Sequence, residues 1–231
     1  MVVDQYVRER LDGGGSALKT FFSASLRPFD TIYAHAFEWC AGMGDIGLHL
    51  LQRGLCERLT LADINEESII EARKQVFRLG LEDRVELFVS DNMADIPKGE
   101  RFDLVVANPP NYFNIQSEHP VGAVLYDDLR PNDRGWKIHE EFYGQIGDYL
   151  VPGARLLIHE VEPHSVRVFI AYWDVPYDVR DEVPLDSFKK MFADGGLDYV
   201  GCDYICTMSP TADSFLVSLI KPDGGENGSR V

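Results

Sequence analysis

A chain of 231 residues with 45% apolar content can bury the core of one domain, and it has no apolar run of the roughly 18 residues that a membrane-spanning helix needs. Its 38 acidic and 22 basic residues leave a net charge of −16, and there is no basic stripe of the kind that follows a phosphate backbone. That balance argues against nucleic acid and suits a cationic partner.

The elements follow in chain order. Residues 4–11, "DQYVRERL", read as a short helix that "DGGGS" breaks, because three glycines lose too much backbone entropy in regular structure. Residues 17–29 read as a second short helix and a turn, so residues 1–30 are expected to form an N-terminal helical appendage that covers a site or helps a homodimer form. From Tyr33 the rhythm becomes regular: strands at 33–40, 58–64, 84–91, 102–110 and 152–160 alternate with helices at 44–54, 65–80 and 138–150. Asn65 is placed to cap the second of these helices, and Gly54 and Gly80 to end the first two. Helices are then expected at 164–173 and 185–196, and strands at 199–208 and 213–222 as antiparallel neighbours at one rim of the sheet. The domain is expected to span 31–222, with a disordered tail at 223–231. The expected fold class is therefore α/β, a doubly wound and mostly parallel Rossmann-like sheet with an antiparallel edge. The charged N-terminus lacks the apolar segment of a secretory signal, and the four cysteines read as reduced thiols, so a cytoplasmic protein is expected.

In such a sheet, ligands bind where the strands end. After the first strand, "EWCAGMGDIG" places Gly42, Gly44 and Gly47 in a G-x-G-x-x-G spacing. Asp63 ends the second strand, Asp91 and Asn92 follow the third, and Asn108-Pro109-Pro110-Asn111 follow the fourth. An acid after the second strand suits a ribose in either NAD or S-adenosylmethionine. The Asn-Pro-Pro segment separates the two, because it has no role in nicotinamide sites.

With these four motifs in order, residues 37–160 resemble the class I S-adenosylmethionine-dependent methyltransferases of the NPPY type, which act on planar nitrogen. The pattern is most similar to the release-factor glutamine and small-molecule N-methyltransferases. The resemblance implies a seven-stranded sheet and S-adenosylmethionine as cofactor, held by Glu38, Ala41, Gly42, Gly44, Asp63, Ile64, Asp91, Asn92 and Asn108. It gives Glu38 the methionine amino group, Asp63 the ribose hydroxyls and Asp91 the adenine amine. Cys40 stands where the family often has its first glycine, and Asn111 where it has an aromatic ring. Tyr112 and Phe113 follow at once as replacements for that ring.

A planar amide, guanidine or aryl amine delocalises its lone pair. Two fixed acceptors, the Asn108 side-chain oxygen and the Pro109 backbone oxygen on a stiff segment with Pro110, would aim that lone pair at a methyl group and stabilise the developing charge. Asn111, Tyr112, Phe113, Glu118, Asp127, Asp128 and Glu160 are the candidate substrate contacts, the acids suiting a cationic acceptor. His159, Glu160, Glu162 and His164 read as a pocket rim or a solvated edge, and no metal is expected. The expected activity is N-methylation of an amide or guanidinium in a small molecule or protein side chain. The alternatives are an exocyclic amine of DNA or RNA, a non-catalytic cofactor-binding protein and an NAD oxidoreductase.

Overall fold

The computed structural model describes residues 15–111, 133–163, 185–209 and 212–223. The expected helices at 4–11 and 164–173, most of the tail, and Tyr112, Phe113, Glu118, Asp127 and Asp128 lie outside them.

Five α-helices and seven strands are described. Helix α1 (Gly15–Leu26) leads through a 3-10 turn into β1 (Tyr33–Trp39), α2 (Asp45–Gln52), β2 (Cys56–Asp63), α3 (Glu66–Leu79), β3 (Val85–Val89) and β4 (Phe102–Ala107). Then come α4 (Lys137–Ile146), β5 (Leu150–Pro163), α5 (Leu185–Asp194), β6 (Asp198–Ser209) and β7 (Ala212–Ile220). The strands form one sheet in the order β3-β2-β1-β4-β5-β7-β6. The first five run parallel, while β7 runs antiparallel to both β5 and β6. The antiparallel edge is thus the β7–β6 pair, with β6 outermost.

Local signals end the helices as read. Asn65 Oδ1 accepts from the N–H groups of Glu67 and Ser68 at the start of α3, and Gly80, at φ 65°, closes it. Helix α4 stops at Ile146 and passes into a 3-10 turn over Gly147–Tyr149, earlier than the apolar pattern suggests. β5 is longer than expected at both ends. Its early residues take a bulge between Leu150 and Arg155, where Gly153 has φ 78°, and its late residues pair with β7 as far as Pro163.

Side-chain alternation sorts the sheet into two faces. Phe37 and Trp39 of β1, Val105 and Ala107 of β4 and Leu156 and Ile158 of β5 meet α4 and α5 through Phe142, Tyr143, Phe188 and Phe192. Ala36, Leu104, Val106 and Leu157 point the other way, onto α1, α2 and α3. Phe22 and Leu26 of α1 are buried there beside Leu50 and Leu51. From residue 15 onward, therefore, the N-terminal segment packs into the core of the sheet domain.

Candidate active site

The two faces decide where each site residue points. Glu38 lies between Phe37 and Trp39 in β1, so it faces α2. Its carboxylate is 1% exposed and accepts the Gly47 N–H at 2.7 Å. Burial pushes this carboxyl well up, while the N–H groups of Gly47 and Ile46 at the helix start pull it down. Glu38, expected at the methionine amino group, is in this structure the acceptor that caps α2. Gly47 is a packing position, because a Cβ there would stand 2.7 Å from both Glu38 Oε2 and Leu59 Cδ1.

The turn between β1 and α2 needs left-handed backbone at three residues. Cys40 has φ 51°, Gly42 φ 53° and Gly44 φ 78°. Asp63, at the end of β2, ties this turn down. Its Oδ2 accepts the Gly42 N–H at 2.7 Å, and its Oδ1 accepts the Asn65 N–H at 2.8 Å. Each oxygen keeps a further lone pair for a hydroxyl. Burial raises the Asp63 carboxyl, against the pull of these two N–H groups. Ala41 is buried, and its N–H goes to Ala62 O at 2.9 Å. Ile64, just past the end of β2 and beside Asp63, leaves its apolar side chain 49% exposed.

After β3, Asp91 is exposed, whereas Asn92 turns inward at φ 49°. Asn92 Oδ1 accepts from Trp39 Nε1 at 3.0 Å, and its Nδ2 donates to Glu141 Oε2 at 3.3 Å. The side chain of Asn92 is therefore directed into the fold. Burial raises the Cys40 thiol well above its ordinary range, and the carboxylates of Asp63, Asp133, Asp91 and Glu160 raise it further. Cys40 therefore stays protonated.

Asn108, Pro109, Pro110 and Asn111 leave β4 next to β5. Asn108 Oδ1 lies 2.6 Å from His159 Nδ1. Asn111, 8% exposed, donates its Nδ2 to Pro109 O at 2.9 Å and to His159 O at 3.3 Å. Both acceptors expected to hold a substrate nitrogen therefore belong to one hydrogen-bonded set around His159. Burial holds the His159 ring neutral, with its pKa lowered to about 4.

Glu160, expected as a substrate contact, faces the opposite side of the sheet from His159. It is 3% exposed, accepts from Tyr143 OH at 3.3 Å and stands 3.4 Å from His139 Nε2. His139 Nδ1 in turn lies 2.6 Å from Asp133 Oδ2, and both residues are fully buried. Desolvation alone would lower the His139 pKa, but the charges and hydrogen bonds of Glu160 and Asp133 outweigh it and raise the pKa to about 9. This Asp133–His139–Glu160 cluster has little signature in the sequence. Asp133 meets His139 because it caps α4, accepting the N–H groups of Ile138 and His139. Among the described residues, no three His, Cys, Asp or Glu side chains are arranged to hold a metal ion.

The methyltransferase small domain family profile matches residues 5–125, just over half of the chain. The chain belongs to the methyltransferase small domain family. Among curated relatives, this methyltransferase domain is 30% identical over 194 residues to the ribosomal protein uL3 glutamine methyltransferase of Francisella tularensis, covering 76% of the chain and 61% of the relative. It is 35% identical over 77 residues to the release factor glutamine methyltransferase of Leptospira interrogans, covering 33% of the chain and 27% of the relative. The chain therefore spans less than two thirds of the length of either relative. In fold it is similar to the ribosomal protein L11 methylase of Lactobacillus delbrueckii subsp. bulgaricus, with a TM-score of 0.56, 12% identity and coverage of 90% and 78% of the two chains. The family's cofactor is S-adenosylmethionine, and the donor set suits it. The Asp63 carboxylate offers paired acceptors of the kind a ribose diol takes, beside the apolar Ile64. Among the described residues, no helix is long and apolar enough to cross a membrane.

Proposed function

We propose that this protein methylates a planar nitrogen, with a glutamine-type side-chain amide as the leading acceptor and an arginine-type guanidinium as the second. One observation carries this reading. The side-chain oxygen of Asn108 and the main-chain oxygen of Pro109 are both anchored to His159, directly or through Asn111, at the carboxyl end of β4. The glutamine methyltransferase relatives favour the amide, and the chain's acidic balance, a net charge of −16, favours the guanidinium.

S-adenosylmethionine supplies a methyl group on a sulfonium when bound. Asp63 would accept from its ribose, Ile64 would cover one face of its base, and Asp91 would accept from the adenine amine. Glu38 holds the start of α2 and so fixes the Cys40–Gly44 turn against which the methionine end would lie. Asn108 Oδ1 lies against His159 Nδ1 and Pro109 O accepts from Asn111 Nδ2, and an amide or carbonyl oxygen has two lone pairs with which to accept. Two N–H bonds of the acceptor given to those lone pairs would rotate its nitrogen out of conjugation and stabilise the positive charge that develops there. No general base is needed before transfer, since the surplus proton becomes acidic only once the methyl has arrived, and it then leaves to solvent.

Labelled S-adenosylmethionine offered to glutamine-bearing peptides, free glutamine, free arginine and tRNA tests this directly. Label in an amide or guanidine, and its loss in Asn108→Ala by about 100–1,000-fold, is expected. Label in tRNA, or transfer indifferent to Asn108→Ala, would overturn the proposal.

A further inference from the structure

His159 reaches the nitrogen site with two different atoms. The pairing of β4 with β5 ends at Ala107 opposite Ile158, so Asn108 and His159 are the next residues of two adjacent parallel strands. Beyond that point the chains differ. The segment from Asn108 leaves the sheet, whereas His159 stays paired with Leu216 of β7. The histidine is therefore mounted on the sheet, and the Asn-Pro-Pro segment is mounted on the histidine. Its ring nitrogen stands 2.6 Å from Asn108 Oδ1, and its main-chain oxygen takes the Asn111 Nδ2 that also serves Pro109 O. An amide oxygen facing Nδ1 requires a proton on that nitrogen. Burial favours the neutral ring, so the tautomer with the proton on Nδ1 is the one that fits. That tautomer also sets which way round the Asn108 amide lies.

We propose that His159 is the positioning residue of the methyl-acceptor site, orienting Asn108 through its ring and Pro109 through Asn111. The catalytic consequence rests on the planar-nitrogen function proposed above. The hydrogen bond itself does not depend on it.

Two measurements on the full chain test this. Long-range nitrogen-15 spectra of the histidines, with His159 assigned by its loss in His159→Asn, should show the Nδ1–H tautomer, and Asn108→Ala should perturb it. The Nε2–H tautomer would overturn the proposal, because Asn108 would then have to turn its nitrogen to the ring. In the kinetic arm, His159→Leu keeps the volume but removes the donor, and His159→Asn keeps a donor close to the place of Nδ1. Leu should lower kcat by about 100-fold with cofactor affinity unchanged, and Asn should recover about tenfold. Equal losses in the two variants, or a loss confined to KM or cofactor affinity, would overturn it. If the wild-type protein methylates nothing offered, the proposed function fails, and the tautomer still decides whether His159 orients Asn108.

Discussion

A methyl group added at position 47 would collide with Glu38 Oε2 and with Leu59. Gly47→Ala should therefore destabilise the protein by about 1–3 kcal/mol, read as a lower urea midpoint with an unchanged slope. It should also weaken cofactor binding, because Glu38 holds the start of the helix that follows the glycine turn. An unchanged midpoint would show that the α2–β2 contact gives way. The sequence displays the glycine spacing but not its cause, since Glu38 and Leu59 reach Gly47 only across the sheet. The same limit applies at His159, whose partner Asn108 is 51 residues away, and at Asn92, whose partner Trp39 is 53 residues away. Residues at strand ends announce themselves by position. Their partners on neighbouring strands do not.

At the scale of elements, α4 is the support behind the site. Phe142 lies flat on Trp39, with ring centroids 3.7 Å apart and planes 3° apart, and Trp39 in turn holds Asn92. Phe142→Ala should remove about 3–5 kcal/mol of stability and loosen the loop after β3 together with the core. Denaturant unfolding measures the first effect, and faster amide exchange at residues 90–93 the second. Normal exchange there would separate the Trp39 stack from the loop. The parallel strands and their helices were legible because alternation, caps and end glycines agree along the chain. The length of β5 was not, because pairing with β7 some fifty residues later decides where it ends. Nor was the packing of α1 in the core, since "DGGGS" reads as a break while Phe22 and Leu26 find their partners on α2.

For the molecule as a whole, charge sets two expectations. The buried His139 between Asp133 and Glu160 has its pKa raised to about 9, so its stabilising effect is complete below the unfolded value near 6.5 and is lost as the pH rises through 9. The stability difference between wild type and His139→Gln should therefore shrink by as much as about 3 kcal/mol from pH 6.5 to 9. Taking a difference between two proteins cancels the opposite slope that His159 contributes below pH 6.5 and the slopes of Glu38 and Asp63. A difference that stays constant would mean that His139 is neutral in the fold. With a net charge of −16, the protein should also bind tRNA weakly, with a shallow salt dependence.

The central claim is that Asn108 and Pro109 aim a planar nitrogen at a methyl group. Mass spectrometry of a glutamine-bearing acceptor peptide after turnover tests it most directly, because it locates the added mass. A methyl group on the side-chain amide nitrogen, absent with Asn108→Ala, is the predicted result. A methyl group on oxygen or carbon, or the same product from the Asn108→Ala protein, would contradict it.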